Sequence, residues 1–167
     1  FNYPDTICIG DTADFIVRNK IKQYTWDFGN GILQMGNSIS YAYQNTGTYL
    51  LSVYSKDDSG CNDSIILDTI YVVGAKADFT ISDSVVCYGS WVHFNAMTSK
   101  ADSYSWYTED KVLGSNKKAK TVFRKTEKQK IKLSIEKDRC VSNITKEIMI
   151  HGRKPSIVVH QKTNCSP

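Results

Sequence analysis

The octapeptide YTWDFGNG at residues 24–31 is the most informative stretch of this 167-residue chain. Its aromatic residues alternate with polar ones, which is typical of a strand with one buried face. Two glycines then flank Asn30, a composition typical of a hairpin bend with positive φ. The stretch therefore predicts a strand that places Trp26 in a core, followed by a turn that the Asp27 carboxylate caps.

Much of the chain repeats at a fixed distance. Cys8 and Cys61 are 53 residues apart, Cys87 and Cys140 are also 53 apart, and the second pair follows the first by 79 residues. The chain therefore contains two copies of a repeat of about 79 residues. The other matched pairs, at spacings of 79 or 80, are Gly10 and Gly89, Phe15 and Phe94, Tyr24 and Tyr104, and Trp26 and Trp106.

The repeat predicts three segments. Residues 1–75 and 76–152 form two domains, each near the lower size limit for a self-sufficient core. The chain before Cys165 resembles the chain before Cys87, so residues 153–167 are interpreted as the opening strand of a truncated third repeat.

Apolar and polar residues alternate through both units. The pattern is clear at 13–17, at 92–96 and at 49–53. We therefore predict an all-β chain of two tandem immunoglobulin-like β-sandwiches with about seven strands each. The segment Lys117–Lys132 favours a helix by propensity alone, but its alignment with Ser38–Val53 predicts a pair of strands.

The cysteines predict disulfides, and hence export to an oxidising compartment. Pairing within each unit, Cys8 with Cys61 and Cys87 with Cys140, makes every repeat self-contained and is the favoured arrangement. Each such bridge would remove roughly 4 kcal/mol of unfolded-state entropy on the chain-entropy model. A second regular series, Cys61 to Cys87 and Cys140 to Cys165, stays open, as does a cytosolic protein with reduced cysteines.

Three motifs of the first unit resemble the PKD (polycystic kidney disease) domain family. They are YTWDFGNG, YAY at 41–43 and GTYLLSV at 47–53, which follow the family pattern W-D-F-G-D-G, H-x-Y and G-x-Y-x-V-x-L. Asn30 and Tyr41 depart from it, because the family usually has Asp and often has His there. The flanking cysteines look like the cysteine-bearing variant of large Bacteroidota surface proteins. The second unit is a degenerate copy, with WYTEDK at 106–111 in place of the turn.

The PKD resemblance implies an extracellular β-sandwich that serves as a spacer, an adhesion module or an accessory to secreted hydrolases, without catalysis. We expect a disulfide-stapled spacer or stalk in a large cell-surface or secreted protein, with adjacent repeats of the same chain as its partners. The alternative is a module that binds glycan or anionic polymer through a basic strand pair of the second domain. Exposed aromatics such as Trp91 and Tyr107 are candidate glycan contacts, although packing of Trp91 at a domain junction is an equally good interpretation.

Charge is distributed unevenly along the chain. Residues 1–77 carry five basic and eight acidic residues, and residues 78–151 carry thirteen and nine. The basic residues concentrate in one segment, where they either keep a strand edge soluble and unpaired or form an anion site for a polysaccharide or another surface protein. We expect Lys128, Lys130 and Lys132 to share one face of a strand. The candidate anion-binding or glycan-binding residues are Lys117, Lys118, Lys120, Arg124, Lys125, Lys128, Lys130 and Lys132.

Several other classes of function are not expected. The basic segment has one aromatic residue and no nucleic-acid-binding motif, so nucleic acid is disfavoured. No apolar run approaches the ~18 residues of a membrane span, so we expect no direct membrane insertion. No nucleophile elbow or catalytic triad pattern occurs, and Asp27 with Asp57 or Asp58 is a weak candidate for paired glycosidase carboxylates.

No cofactor is expected. Zinc is disfavoured because the chain has no C-x-x-C, and because His93, His151 and His160 lack ligand spacing. Calcium at Asp27 and neighbouring carboxylates is a weak alternative, since Asn30 removes one charge from that turn.

The resemblance to Bacteroidota surface proteins also implies O-glycosylation, which that phylum places at Asp followed by Ser or Thr and then a small or aliphatic residue. Five triplets fit this motif, but it is short enough that several copies arise by chance. The candidate acceptors are Thr6, Thr12, Ser64, Thr69 and Ser84.

Overall fold

The structure is a computed structural model that describes residues 1–18, 23–56, 62–83, 85–98 and 100–152. Within these ranges the chain is all-β and contains no helix. Consequently, no helix of the described chain is long and apolar enough to cross a membrane. The predicted third repeat, residues 153–167, lies outside the described residues.

The first unit has seven strands in the part of the chain that the structure describes. Five of them form one sheet in the order β1-β7-β6-β3-β4, and β2 pairs with β5 in the facing sheet. β1 runs parallel to β7, and the other pairs are antiparallel. The strands are β1 Thr6–Cys8, β2 Ala13–Ile16, β3 Gln23–Asp27, β4 Leu33–Met35, β5 Ser38–Tyr41, β6 Gly47–Lys56 and β7 Asn62–Val73.

The second unit repeats this arrangement with one more strand. Its five-stranded sheet has the order β12-β11-β14-β15-β9, and the facing sheet has the order β13-β10-β8. β9 again runs parallel to β15. Two immunoglobulin-like sandwiches, predicted from the alternating pattern, are therefore confirmed. The strands are β8 Phe79–Ile81, β9 Val85–Cys87, β10 Trp91–Ala96, β11 Ser103–Thr108, β12 Val112–Gly114, β13 Lys118–Val122, β14 Glu127–Lys137 and β15 Cys140–His151.

Each sandwich is filled around one tryptophan. Trp26 and Trp106 are fully buried, and the aligned aromatic partners Phe15 and Phe94 each lie with their ring centroids 5.8 Å away. Both indole N–H groups are satisfied in the same way, because each donates to a backbone carbonyl ten residues later in the chain. Because these rings are buried without an unpaired N–H, β3 and β11 anchor the two cores.

The predicted turn after β3 is confirmed in its details. The Asp27 carboxylate accepts a hydrogen bond from the Gly29 N–H at 2.9 Å. Gly29 has φ +71°, and a Cβ there would lie 2.6 Å from the Leu50 carbonyl oxygen, so only glycine fits. The corresponding turn of the second unit is shorter, closing from the Thr108 N–H to the Lys111 carbonyl at 2.9 Å.

The lysine-rich segment forms strands, as predicted, but the predicted strand pair is wrong. β13 pairs with β10 in one sheet, whereas β14 pairs with β11 and β15 in the other. Phe123, between β13 and β14, is buried in the core, so the chain crosses the sandwich at this point instead of turning within one sheet. β5 and β6 of the first unit are separated in the same manner.

Candidate functional sites at the unit junction and at Trp91

A disulfide joins the two units. Cys8 at the end of β1 bonds to Cys140 at the start of β15, with their Cα atoms 5.6 Å apart and a sequence separation of 132. The favoured pairing within each unit is therefore wrong for these cysteines, and the bond belongs to neither of the two series predicted from spacing. Cys87 is an exposed free thiol in the described chain, and Cys61 and Cys165 lie outside the described residues.

The reason is that the two cysteines of the second unit lie at opposite ends of it. Cys87 is paired in the sheet with His151, the last residue of β15, whereas Cys140 is the first residue of that strand. His151 lies eleven residues after Cys140 along the strand, a distance of roughly 36 Å at the rise of a β-strand. No disulfide can span that length, so Cys140 is available only to the neighbouring unit.

The connector between the units lies directly against this disulfide. Gly74 has φ +96°, and a Cβ on it would lie 2.8 Å from the Cys140 Cβ and 3.2 Å from its Sγ. Beyond it, the Lys76 carbonyl accepts a hydrogen bond from the Thr98 hydroxyl at 2.7 Å, and the Ala77 N–H donates to the Ser142 hydroxyl at 3.0 Å. The connector is thus held by the second unit along most of its length.

The hairpin tip that presents Cys140 is also held in place. Asp138 and Arg139 have φ values of 53° and 66°, the left-handed backbone of a two-residue hairpin turn. The Asp102 carboxylate accepts hydrogen bonds from the Asp138 N–H at 2.9 Å and from the Lys137 ammonium at 3.1 Å. These bonds, the Asp138 N–H first, lower the pKa of Asp102 below its ordinary value. The paired carboxylates of Asp138 and Asp102 correspondingly raise the pKa of Lys137.

A second candidate site surrounds Trp91, the first residue of β10. Its side chain is 59% exposed, and the Lys120 ammonium lies 5.0 Å from its ring centroid. A groove of about 640 Å³ borders the ring together with Lys120, Arg124 and Lys125. A second hollow, of about 500 Å³, borders it together with His93 and Lys118. Within the described residues, Trp91 is therefore a solvent-facing ring beside a cation.

The larger groove exists because the second unit lacks two aromatic side chains. In the first unit Phe28 stacks on Tyr41 at 3.9 Å, and Phe28 is completely buried. Alignment of the strands places Thr108 and Thr121 at these two positions, and both threonines line the groove. The Thr121 hydroxyl is buried, the residue being 3% exposed, and has no hydrogen-bond partner within the described chain.

The predicted basic residues are divided between two faces. Three of them, Lys120, Arg124 and Lys125, meet at the groove, and Lys118 lines the adjoining hollow. The structure does not bring the others to this site. Lys117 is exposed just before β13, and Lys128, Lys130 and Lys132 project together from β14 of the opposite sheet.

Nearby carboxylates neutralise part of this charge. Asp110 contacts Lys125 at 2.9 Å and raises its pKa. The pairs Lys128–Glu147 at 3.4 Å and Lys130–Glu109 at 3.8 Å involve two of the three candidate lysines on β14. Exposed ion pairs contribute little to stability, and here they neutralise part of the positive charge at the groove as well as on the β14 face.

The remaining candidates are scattered. The Thr6 and Thr12 side chains are exposed, and Thr69 is half-buried. The Ser64 side chain, Ser84, Asp57, Asp58 and His160 lie outside the described residues. Tyr107 is half-buried, and His93 is exposed on β10. Among the residues that the structure describes, no three His, Cys, Asp or Glu side chains come close enough to hold a metal ion.

The comparison with protein families concerns the first unit. Residues 3–72 match the family model described as PKD domain. The matched residues extend from the segment before β1 to the penultimate residue of β7, so the PKD-like unit coincides with the sandwich that carries the turn at Asp27. Among curated proteins, none matches the chain significantly.

The comparison with solved structures found several distant similarities. The fibronectin(III)-like modules of Clostridium thermocellum CbhA are 10% identical, with 91% of this chain and 95% of that chain covered and a TM-score of 0.35. Murine CEACAM1b is 9% identical, with 89% and 96% covered and a TM-score of 0.38. A structure described as carbohydrate-binding modules from the beta-sandwich super family is 18% identical, with 81% and 56% covered and a TM-score of 0.40.

Two features of these sites escaped the sequence analysis. The pairing of Cys8 with Cys140 depends on which end of the sandwich each cysteine occupies, and equal spacing along the chain does not contain that information. The sequence did contain a signal for the groove, because threonine replaces the aromatic residues Phe28 and Tyr41 at the aligned positions Thr108 and Thr121.

Proposed function

We propose that this chain is a spacer segment of an extracellular protein, in which PKD-like and immunoglobulin-like units follow one another as a stalk of restricted flexibility. The observation that carries the proposal is the Cys8–Cys140 disulfide between the units. A disulfide of this kind suits an oxidising, extracellular environment.

The physical argument concerns the freedom of a short connector. Tandem domains joined by one peptide segment move relative to each other unless their interface is large. Here Cys8 is paired with Val73 at the end of β7, one residue before the connector begins. The disulfide therefore ties the end of the first unit to the hairpin of the second at the place where a hinge would otherwise lie. In a stalk built this way, each unit has little freedom to move relative to the next.

Rotational diffusion measured by ¹⁵N NMR relaxation tests the spacer directly. We expect the two units of the oxidised chain to share one correlation time, because the junction is covalently closed. In the Cys8→Ser/Cys140→Ser variant, the units should tumble with shorter and different correlation times. The Cys87→Ser variant is the matched control and should behave as the unsubstituted chain. Independent tumbling with the disulfide intact would contradict the spacer proposal.

A second candidate function, binding of an acidic polysaccharide, is favoured by the groove beside Trp91. An exposed indole offers an apolar face for a sugar ring, and Lys120 and Arg124 offer charge for its carboxylate or sulfate groups. The unpaired Thr121 hydroxyl adds a buried group that gains a hydrogen bond when a ligand oxygen enters. These features lie together on the β13 side, which moves the candidate site away from the β14 lysines.

Titration with alginate oligosaccharides, with neutral dextran oligosaccharides for comparison, tests this second function. We expect alginate alone to bind, more weakly as salt is raised, and expect Trp91→Ala and Lys120→Glu to reduce the affinity at least tenfold. Lys132→Glu makes the same charge change on the opposite face and is the matched control. Equal losses for Lys120→Glu and Lys132→Glu would mean that net charge alone attracts the polymer and would sink the groove as a site.

A further inference from the structure

We propose that Cys87 forms a disulfide with the hairpin cysteine of the unit that follows, repeating the Cys8–Cys140 bond at the next junction. The disulfides would then form a ladder along the stalk, with one bond from each unit to the next. This inference rests on the proposed spacer function. It assigns to the free Cys87 thiol a partner of defined chemistry, namely a cysteine at the start of the last strand of a neighbouring unit.

The backbone around Cys87 already has the form that it has around Cys8. Three hydrogen bonds define the Cys8 corner: Ile9 N–H to Val73 carbonyl at 2.9 Å, Gly10 N–H to Tyr43 carbonyl at 2.9 Å and Asp11 N–H to Cys8 carbonyl at 3.0 Å. Their counterparts at the Cys87 corner are Tyr88 N–H to His151 carbonyl at 2.7 Å, Gly89 N–H to Phe123 carbonyl at 3.0 Å and Ser90 N–H to Cys87 carbonyl at 3.1 Å. The two thiols therefore leave equivalent backbone frames.

The space for the partner is also repeated. Gly74 faces the Cys8–Cys140 bond, and its missing side chain leaves room for the Cys140 Cβ. Gly152 occupies the equivalent position after β15, with φ +105° against +96° for Gly74. Within the described chain, a Cβ on Gly152 would meet only Tyr88, at 3.7 Å or more. A glycine of the same conformation thus lies beside Cys87, and no residue of the described chain occupies the place that Cys140 takes at the first junction.

The polarity of each unit directs the ladder. Because Cys87 and Cys140 are at opposite ends of β15, the second unit receives a bond from the first at one end and presents a thiol at the other. Cys61 is the sequence counterpart of Cys140 and immediately precedes Asn62, the first residue of β7. By the same rule, the β1 cysteine of each unit bonds to the hairpin cysteine of the next unit. Cys61 would then bond to the β1 cysteine of a preceding unit. Cys165, the counterpart of Cys87 in sequence, would bond to the hairpin cysteine of the unit after its own.

Formation of the bond requires an oxidant. The Cys87 thiol and the hairpin cysteine thiol each give up a proton, and together they give up two electrons to a disulfide-bonded oxidant. The oxidant's S–S bond breaks to two thiols as the new S–S bond forms. Cys87 meets the access requirement for this exchange, because its side chain is exposed.

Disulfide mapping of the full-length exported protein tests the ladder. Free thiols are blocked with N-ethylmaleimide at acidic pH, the protein is digested without reduction, and linked peptides are identified by mass spectrometry. We expect the Cys87 peptide to be linked to a peptide from the hairpin of the following unit. An alkylated Cys87, or a Cys87 linked to any other cysteine, would overturn the proposal.

The same digest separates this inference from the spacer proposal. A Cys8–Cys140 link together with an alkylated Cys87 would leave the spacer intact and remove the ladder. A digest without the Cys8–Cys140 link would remove the basis of both. As a second variant, Cys87→Ser in the full-length protein should leave the Cys8–Cys140 link unchanged and expose the following hairpin cysteine to alkylation. If that cysteine remains linked in the variant, Cys87 is not its partner.

Discussion

The corners at Cys8 and Cys87 have the same backbone but differ in their surroundings. Cys8 is half-buried and bonded to Cys140, whereas Cys87 is exposed and free in the described chain. The corner is therefore shaped by the parallel pairing of β1 with β7, or of β9 with β15, and not by a disulfide. What the disulfide adds is a connection between units. The backbone of the corner therefore has its final form before a disulfide joins the unit to its neighbour.

The largest expected effect contrasts the two cysteines. Cys8→Ser/Cys140→Ser should lower the free energy of unfolding by roughly 2–4 kcal/mol, because the unfolded chain loses a long-range constraint. Cys87→Ser should change it by less than about 0.5 kcal/mol, as for other exposed substitutions. Urea unfolding followed by tryptophan fluorescence measures both. A loss of similar size in the two variants would show that Cys87 is already bonded in the chain.

A smaller effect is expected from the two glycines. Alanine at Gly74 or at Gly152 must adopt a positive φ, which costs about 1–2 kcal/mol at either position. Gly74→Ala must in addition displace the Cys140 Cβ, 2.8 Å away, and this overpacking should bring its total cost to about 3 kcal/mol. It should also slow formation of the Cys8–Cys140 bond during oxidative refolding, whereas Gly152→Ala should not. Equal rates of disulfide formation in the Gly74→Ala and Gly152→Ala variants would contradict the close approach of Gly74 to Cys140.

The smallest expected effect concerns the hairpin tip and pH. Because the folded pKa of Asp102 is lowered, its contribution is fully present above the unfolded value and is lost as pH falls below roughly 4. We expect hydrogen exchange at the Asp138 amide to become less protected over that range. Asp102→Asn should show the weaker protection at neutral pH and no further acid transition. If the Asp102→Asn variant keeps the acid transition, another carboxylate is responsible for it.

The sequence was sufficient for the two sandwiches but not for their junction. The alternation around Trp26 and Trp106 reports which residues are buried, and burial determines strands and cores. The crossing of the chain between β13 and β14 was missed because a repeat alignment shows equivalence, not sheet membership. The Cys8–Cys140 bond was missed for a related reason: it depends on the end of β1 and the start of β15 meeting in space, which spacing along one unit does not encode.

The most direct test of the central claim is a non-reducing peptide map of the oxidised 167-residue chain. We expect one peptide pair that contains Cys8 and Cys140, with Cys87 recovered outside that pair. Recovery of Cys8 linked to Cys61, or of Cys87 linked to Cys140, would contradict the junction disulfide, because it would close each unit on itself and leave the connector as a free hinge.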